Sequence, residues 1–518
     1  MTISIYDPTA NEPKVRPIIR NSFAFLPTAG MRLAPEVLIL ELMRDVFYDE
    51  RPAGTQNLDP DEVDDQRRHF HSGRERAVLC AMRGRRKKIK NFEGGRFYAP
   101  AYPQLAKRGW LGKKRERVIE SFLFSGPVAQ NLWHKGVNTE EGKRRQQEVI
   151  EKVWRALVGG NSPLDGQSSQ NEFLALALDG KSFQFDTVAI EKRLKNYTES
   201  NSVMKLESDE LASRITNDLL AICGLEKLLP RMQWLQLLMT FLRFALPMWL
   251  LAQMQVTRLL HEWFLMAVDG QEVVNTHTVL QRLECRNRGL LHPTLTATRE
   301  LIGHIENYVK CRVELNILLK CLEIVRPSDV KDKVLTLVGG GKGLINLEQL
   351  LVLLKAASSD IRNLDRFKTI AGNLNLKTFL TREGEQFAAW RAPLSKGQGK
   401  NIDEFFRVLY KADFGDEAGG YLFVPEGRGV SRGFRAFPGQ LLLKTVTYLA
   451  AQNKDSDHAR GGGGKLVLED VEEHFAQYGV DFSMAADARP LLMNELQAMG
   501  LLTGSPDAGS SVAVARPY

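Results

Sequence analysis

Lysine and arginine are concentrated in one stretch of this sequence, from Arg83 to Arg117. Its 35 residues include thirteen basic side chains and two acidic ones, Glu93 and Glu116, which gives a net charge of +11. Aromatic side chains are interspersed among the basic residues, at Phe92, Phe97, Tyr98, Tyr102 and Trp110. Basic groups neutralise phosphates and release counterions, and aromatic rings stack on exposed bases. The stretch therefore predicts binding to a nucleic-acid backbone, with DNA as the expected nucleic acid.

Twelve of the basic residues in this stretch, and one tryptophan, are the predicted nucleic-acid-binding residues. They are Arg83, Arg85, Arg86, Lys87, Lys88, Lys90, Lys107, Arg108, Trp110, Lys113, Lys114, Arg115 and Arg117. Bases between Arg67 and Arg76, and from Lys143 to Arg145, can extend the same surface. Three other interpretations of the stretch are a solvated helix surface, an interface with an acidic partner, and a nuclear-localisation signal.

The glycine-rich sequence from Gly339 to Gly343 has the composition of a phosphate-binding loop but not its spacing. Such a loop reads G-x-x-x-x-G-K-[ST], and its Ser or Thr hydroxyl holds magnesium. When Gly341 and Lys342 are aligned with it, Thr336 replaces the first glycine and Gly343 replaces the hydroxyl residue. We therefore expect a flexible turn here and predict no nucleotide cofactor.

The nine histidines form no H-E-x-x-H zinc motif, since Leu265 stands where His261-Glu262 would need the second histidine. His69 and His71 lie near several acids, but we interpret that region as a solvated loop. No nucleophile motif of a hydrolase is present. The sequence thus predicts no catalytic residue and no metal ligand, and it favours a non-enzymatic protein. A metal-dependent nuclease whose acids meet only on folding is the alternative.

The remaining composition is that of a soluble globular protein. Apolar residues make up 43% and charged residues 25% of the 518 residues, and the 483 residues outside the basic stretch sum to −3. At roughly 150 residues per domain this length allows three or four domains. The five cysteines are far apart, and the N-terminus resembles no signal peptide. We expect a cytoplasmic protein without membrane contact.

Apolar residues recur at helical spacing through most of the chain, which predicts a mainly α, multi-domain protein with a central helical bundle. Pro247 is expected to end or kink the most apolar helix, and a second helix is predicted from Val256 to Val268. The expected division is a basic N-terminal domain, 1–160; a helical-bundle core, 171–392; a linker or irregular segment, 401–436; and a C-terminal domain, 437–518.

The C-terminal domain has its own order of elements. Helices are predicted for Leu441 to Ala451, Glu469 to Tyr478 and Asp487 to Met499, and polar residues from Asn453 to Gly464 predict a loop. Gly479 and Gly500 are placed to end the second and third helices. A short strand at Lys465 to Leu468 and two alternating segments after Gly500 complete the pattern. Three helices followed by a β-hairpin resemble a winged-helix domain, the helix-turn-helix variant with a terminal hairpin.

The resemblance implies that the third helix would enter the major groove of DNA. However, the segment from Met484 to Gly500 carries one base, Arg489, and two acids, Asp487 and Glu495. Because phosphate contacts require several Lys or Arg side chains, we expect this domain to bind protein partners. The chain is therefore predicted to be a non-catalytic, DNA-associated accessory subunit of a protein complex, by analogy one of a bacterial DNA-defence system. A protein-only scaffold that binds an acidic partner is a second alternative.

Overall fold

A computed structural model of the chain describes the parts that follow. They are residues 38–39, 42, 140–158, 209–271, 289–331, 333–336, 344–364, 405–411, 419–426, 433–458, 465–483, 485–503 and 512–518. Most of these residues are helical, and the strands among them are three or four residues long. The prediction of a mainly α protein is therefore confirmed for the described part of the chain.

One long helix organises the centre of the structure. The four helices of this region are α1 (Glu140–Val158), α2 (Asp209–Gly224), α3 (Arg231–Val268) and α4 (Ala297–Val325). Helix α3 packs against α2 and α4, and α2 also packs against α1. Gln255 of α3 contacts His304 of α4, and His261 of α3 contacts Glu314 further along α4. Because the contacts advance together along both helices, α3 and α4 run in the same direction.

The helix does not end at Pro247, which was one of the two outcomes predicted for this residue, because α3 continues through it to Val268. Proline removes the hydrogen bond to the carbonyl of Arg243, which costs roughly 3 kcal/mol in a helix interior. Residues 241–257 are all buried, so packing on every side of the helix offsets this cost. The span Gln233–Val268 is long and apolar enough to cross a membrane, and most of it is buried inside the structure.

Short elements follow α4. They are α5 (Pro327–Val330), β1 (Val334–Thr336), β2 (Leu344–Asn346), α6 (Leu347–Ala356) and α7 (Ser358–Asn363). Strands β1 and β2 pair in parallel, and α6 and α7 pack on α3. The glycine-rich sequence between the two strands lies outside the described residues.

The structure differs from expectation in the segment 401–436, where we predict a linker. Phe405 and Phe406 are buried in the core, and a 3-10 turn, Arg407–Leu409, follows them. Strands β3 (Phe423–Glu426) and β4 (Gly433–Ala436) then form an antiparallel hairpin. Buried Arg243 of α3 donates hydrogen bonds to the carbonyls of Val408 and Tyr410, the second at 2.6 Å. Aromatic burial and this arginine hold the described parts of the segment, residues 405–411, 419–426 and 433–436, against the core.

The C-terminal residues form three helices and three short extended segments. The helices are α8 (Gln440–His458), α9 (Leu468–Gln477) and α10 (Ala488–Ala498). Gly479 and Gly500 have φ of 92° and 71°, which confirms that they end α9 and α10 in the left-handed conformation. Helix α8 extends through Asn453 and Lys454, where a loop is predicted, because Asn453 bonds His474 and Lys454 pairs with Asp470.

The extended segments 465–467, 501–503 and 512–515 lie side by side, with 512–515 in the middle. Leu468 N–H donates to the Val512 carbonyl at 2.9 Å, and Val514 N–H donates to the Leu466 carbonyl at 2.9 Å. On the other side, Thr503 N–H donates to the Ala513 carbonyl at 3.0 Å. Both pairings are antiparallel. Val512 and Val514 are buried, as the predicted alternation requires.

The chain crosses itself closely where α8 begins. Gly439 N–H donates to the Tyr421 carbonyl at 2.9 Å, and Leu442 N–H donates to the Gly419 carbonyl at 3.1 Å. A Cβ atom at Gly439 would lie 2.8 Å from the carbonyl carbon of Gly419. The added Cβ would meet backbone atoms of Gly419. Neither Gly419 nor Gly439 can move aside without breaking the two backbone hydrogen bonds at this crossing.

Gly439→Ala is therefore expected to lower the free energy of unfolding by at least about 2 kcal/mol, because an inserted methyl group strains a packed backbone crossing. The matched control is Gly303→Ala in α4, where a Cβ would meet nothing within 4 Å. That change is expected to stabilise the helix by about 0.5 to 1 kcal/mol. Urea unfolding of both variants measures the difference, and equal stabilities would contradict the close approach.

Candidate functional site

The predicted nucleic-acid-binding residues, from Arg83 to Arg117, lie outside the described residues. What the structure shows instead is how the C-terminal helices are attached to the central ones, and which polar groups are left for contact with other molecules. Three clusters carry this information: one around Asp218, one on the outer face of α10, and one around His261. The sequence predicts protein contact for the C-terminal domain that contains α10 and excludes His261 as part of a zinc motif, but it gives no indication of the cluster around Asp218.

A buried carboxylate joins α2 to α9. Asp218 of α2 accepts a hydrogen bond from the hydroxyl of Tyr478 at 2.7 Å and one from Nε2 of His474 at 2.9 Å. Nδ2 of Asn453, in α8, lies 3.1 Å from Nδ1 of His474. An amide N–H can only donate, so this contact assigns the imidazole proton to Nε2. Asp218, His474 and Tyr478 are 1%, 3% and 2% exposed.

The surroundings of Tyr478 keep its phenol protonated. Burial, followed by the charge of Asp218 and its hydrogen bond, raises the pKa of Tyr478 well above its ordinary value. The phenol therefore stays neutral and remains a donor to the carboxylate. Phe244 of α3 packs on Tyr478 with ring centroids 5.0 Å apart and on Phe475 at 5.8 Å. Such a buried cluster offers no surface to a ligand, and its role is to hold α9 against α2 and α3.

A second attachment runs through backbone. Leu290 and Leu291 N–H groups both donate to the Gly479 carbonyl at 2.9 Å, and Asp481 N–H donates to the Leu291 carbonyl at 3.0 Å. His304 of α4 supports this loop, because its Nε2 lies 2.8 Å from the Leu290 carbonyl. Burial lowers the pKa of His304, so its ring is held neutral with the proton on Nε2. The residues after α9 are thus fixed to the central helices.

The charged residues of α10 and its N-cap bond to other parts of this chain. Arg489 pairs with Glu469 and, at 3.6 Å, with Glu472. Gln440 donates to Glu495 at 2.7 Å. Arg435 of β4 contacts Asp487 at 2.5 Å, and its hydrogen bond lowers the pKa of Asp487. Charges that are already paired in this way contribute little to binding a phosphate backbone.

The outer face of α10 is made of uncharged groups. Its exposed residues between the paired charges are Pro490, Leu491, Asn494, Gln497 and Ala498. Leu491 is one of six large apolar side chains exposed among the described residues. Asn494 and Gln497 are residue types that can read base edges in a DNA groove, but this face offers no Lys or Arg for phosphate contacts. The composition of this face suits contact with a protein.

His261 of α3 forms an ion pair with Glu314 of α4, and Cys311 lies one turn before Glu314 on the same helix. Burial by itself lowers the pKa of His261, but hydrogen bonds to Cys311 and Glu314 outweigh it and raise the pKa to about 9. At neutral pH the imidazole is therefore positively charged and paired with the carboxylate. Across the described ranges, no three His, Cys, Asp or Glu side chains are placed to hold a metal ion.

Comparison with known proteins does not place the chain in a family. No protein-family model, curated protein or solved structure matches it. Its function must therefore be argued from its own residues.

Asp218→Ala is expected to lower the free energy of unfolding by about 3 kcal/mol, because it leaves the buried donors of His474 and Tyr478 without an acceptor. Asn217→Ala, at the exposed neighbouring position, is the control and is expected to change stability by less than about 0.5 kcal/mol. Urea unfolding followed by circular dichroism measures both. A similar small effect for the two variants would contradict the role assigned to Asp218.

The His261–Glu314 pair predicts a pH-dependent stability. The pKa of His261 rises from 6.5 to about 9 on folding, so its stabilisation is complete below the lower value and is lost as pH rises through the higher one. The full effect is about 3 kcal/mol. The stability difference between wild type and His261→Gln should narrow by that order between about pH 6 and about pH 10. A difference that does not change with pH would rule out the raised pKa.

Proposed function

We propose that this chain is a non-catalytic, DNA-associated subunit of a larger protein assembly, and that it contacts the nucleic-acid backbone through the stretch from Arg83 to Arg117. The observation that carries the proposal is the distribution of charge. The stretch holds +11 over 35 residues, while the other 483 residues sum to −3. Phosphate binding needs such a local excess of basic residues, and the interspersed aromatic side chains add surfaces on which nucleobases can stack.

We further propose that residues 437–518 form a winged-helix domain. Its support is the order of elements: α8, the extended segment 465–467, α9, α10, and the segments 501–503 and 512–515. The antiparallel pairing of 512–515 with both other segments is the arrangement that a terminal hairpin and a short first strand require. The central helices, with α3 packed among α2, α4, α6 and α8, constitute the proposed helical bundle.

In this proposal the winged helix binds protein and the basic stretch binds DNA. The single base of α10, Arg489, is engaged by Glu469 and Glu472, and the exposed face around Leu491 is uncharged. Helix α9 is committed to the central helices through His474 and Tyr478. The outer face of α10 is therefore the part of the domain best suited to a protein partner.

The proposal predicts strongly salt-dependent DNA binding that depends on the basic stretch. Changing Arg85, Arg86, Lys87 and Lys88 to Glu should weaken binding at least about tenfold at fixed salt and should reduce the slope of log affinity against log salt by up to about 4 for duplex DNA. Fluorescence anisotropy with labelled single-stranded and duplex oligonucleotides, over a series of salt concentrations, measures both quantities.

A charge-matched control separates local contact from net charge. In the control variant, four exposed basic residues are changed to Glu together: Lys227, Arg299, Lys331 and Lys355. Its slope of log affinity against log salt should equal that of the wild type. Equal losses in the two variants, or no binding of the wild type at low salt, would refute the DNA contact. Cleavage of plasmid DNA by the purified protein with magnesium or manganese would refute the non-catalytic assignment and favour the nuclease alternative.

A further inference from the structure

One imidazole ties the loop of residues 289–292 to both long central helices. Nε2 of His304, in α4, lies 2.8 Å from the Leu290 carbonyl, and its Nδ1 lies 2.7 Å from Nε2 of Gln255 in α3. Leu290 and Leu291 in turn donate their N–H groups to the Gly479 carbonyl. We propose that His304 is an acid-sensitive latch: its neutral ring holds this loop against Gly479, and a second ring proton releases it. The proposal does not depend on the proposed DNA contact.

The two contacts of the His304 ring fit only its neutral form. A carbonyl oxygen can only accept, so the proton of the neutral ring lies on Nε2 and points at Leu290. The side-chain amide of Gln255 then donates to the lone pair on Nδ1. In the imidazolium both ring nitrogens are donors. A second proton would therefore set the Nδ1–H group against the N–H group of Gln255, with the two nitrogens 2.7 Å apart.

The protonated ring can relieve this conflict in two ways. Either the ring moves away from α3, or the amide of Gln255 rotates to present its oxygen. Gln255 is 5% exposed, and close packing opposes rotation of a side chain in such a place. We therefore expect the ring to move. Because the same ring bonds the Leu290 carbonyl, its movement withdraws the support of the loop that holds Gly479.

The surroundings of His304 set the pH range of the latch. Burial is the largest cause that lowers its pKa below 6.5, and the charges of Arg258 and His292 act in the same direction. The bond to the loop carbonyl and the charge of Glu300 oppose this shift without reversing it. Arg258 is itself paired with Glu262 at 3.3 Å. Since the pKa is lower in the folded state, the latch is complete above about pH 6.5 and is lost as the pH falls through the lower value.

The charged groups of the loop itself do not open in acid. His292 contacts Glu300 through Nδ1 at 3.2 Å, and its backbone N–H donates to the same carboxylate oxygen at 3.0 Å. From the segment after α9, Asp481 faces the loop, since a Cβ at Gly289 would lie 3.7 Å from both its Oδ2 and Nε2 of His292. A proton added to His292 would strengthen its pair with Glu300. The release in acid is therefore assigned to His304.

The test is native-state hydrogen exchange of the full-length protein at about pH 7.5 and about pH 5, corrected for the intrinsic pH dependence of exchange. The latch amides are those of Leu290, Leu291 and Asp481, whose N–H groups bond across this junction. Their opening constant should be at least about fivefold larger at the lower pH. The bonds between 465–467 and 512–515 are the internal control and should change less. Equal opening of the latch amides at both pH values overturns the proposal.

Two variants then assign the pH dependence to this ring. His304→Gln stays neutral, so its latch amides should open to the same extent at both pH values. Gln255→Glu is nearly the same size but presents a carboxylate oxygen to Nδ1, so the second proton should close the latch and the pH effect should reverse. A wild-type pH dependence in His304→Gln overturns the role of His304. A wild-type pH dependence in Gln255→Glu overturns the conflict between donors as its cause.

Discussion

The side-chain carboxyl group of Asp218 is buried, and the position of the C-terminal helices depends on the hydrogen bonds that this group accepts. A buried carboxylate without hydrogen-bond partners destabilises a fold by several kcal/mol, so loss of these hydrogen bonds would lower the free energy of unfolding substantially. Both partners that the structure shows for it, His474 and Tyr478, come from one face of α9. The orientation of α9 on α2 is therefore fixed by the chemistry of one carboxylate, and the packing of Phe244 on Phe475 and Tyr478 reinforces it.

The rest of the C-terminal domain follows from the position of α9. Asn453 of α8 completes the bonding of His474, and the residues after α9 bond the loop at Leu290 and Leu291. Arg435 of the β3–β4 hairpin reaches the start of α10 through Asp487. The domain is attached to the central helices by several independent contacts and has little freedom to reorient. A partner bound to the outer face of α10 would accordingly be held at a set position relative to α3.

In the proposed function, two kinds of contact are separated along the chain. The charges of α10 are used to hold the structure together, which leaves an uncharged outer face. The excess of basic residues lies far from this domain in the sequence, between Arg83 and Arg117. In the proposed function, the basic stretch provides salt-dependent affinity for DNA, and the winged helix provides a rigid surface for a protein.

Local features of the fold could be predicted from the sequence, and long-range ones could not. The spacing of apolar residues gives the ends of α9 and α10 to within one residue, and Gly479 and Gly500 end these two helices as expected. Helix α8 runs to His458, well past its predicted end at Ala451. The continuity of α3 through Pro247 was missed because burial on all sides outweighs the local cost of proline. Asp218 and His474 are separated by 256 positions, and no spacing rule relates residues that far apart. Their only signal is that polar residues occur on otherwise apolar helix faces.

Native-state hydrogen exchange, read peptide by peptide, tests the attachment of the C-terminal domain most directly. We expect the slowest amides of α2 and α9 to open with the same free energy, because Asp218 of α2 accepts hydrogen bonds from His474 and Tyr478 at α9. In Asp218→Ala, α9 should exchange faster than α3 even where α3 remains protected. If α8, α9 and α10 of the wild type instead open together at a free energy well below that of α2 and α3, the domain is independent and the account is contradicted.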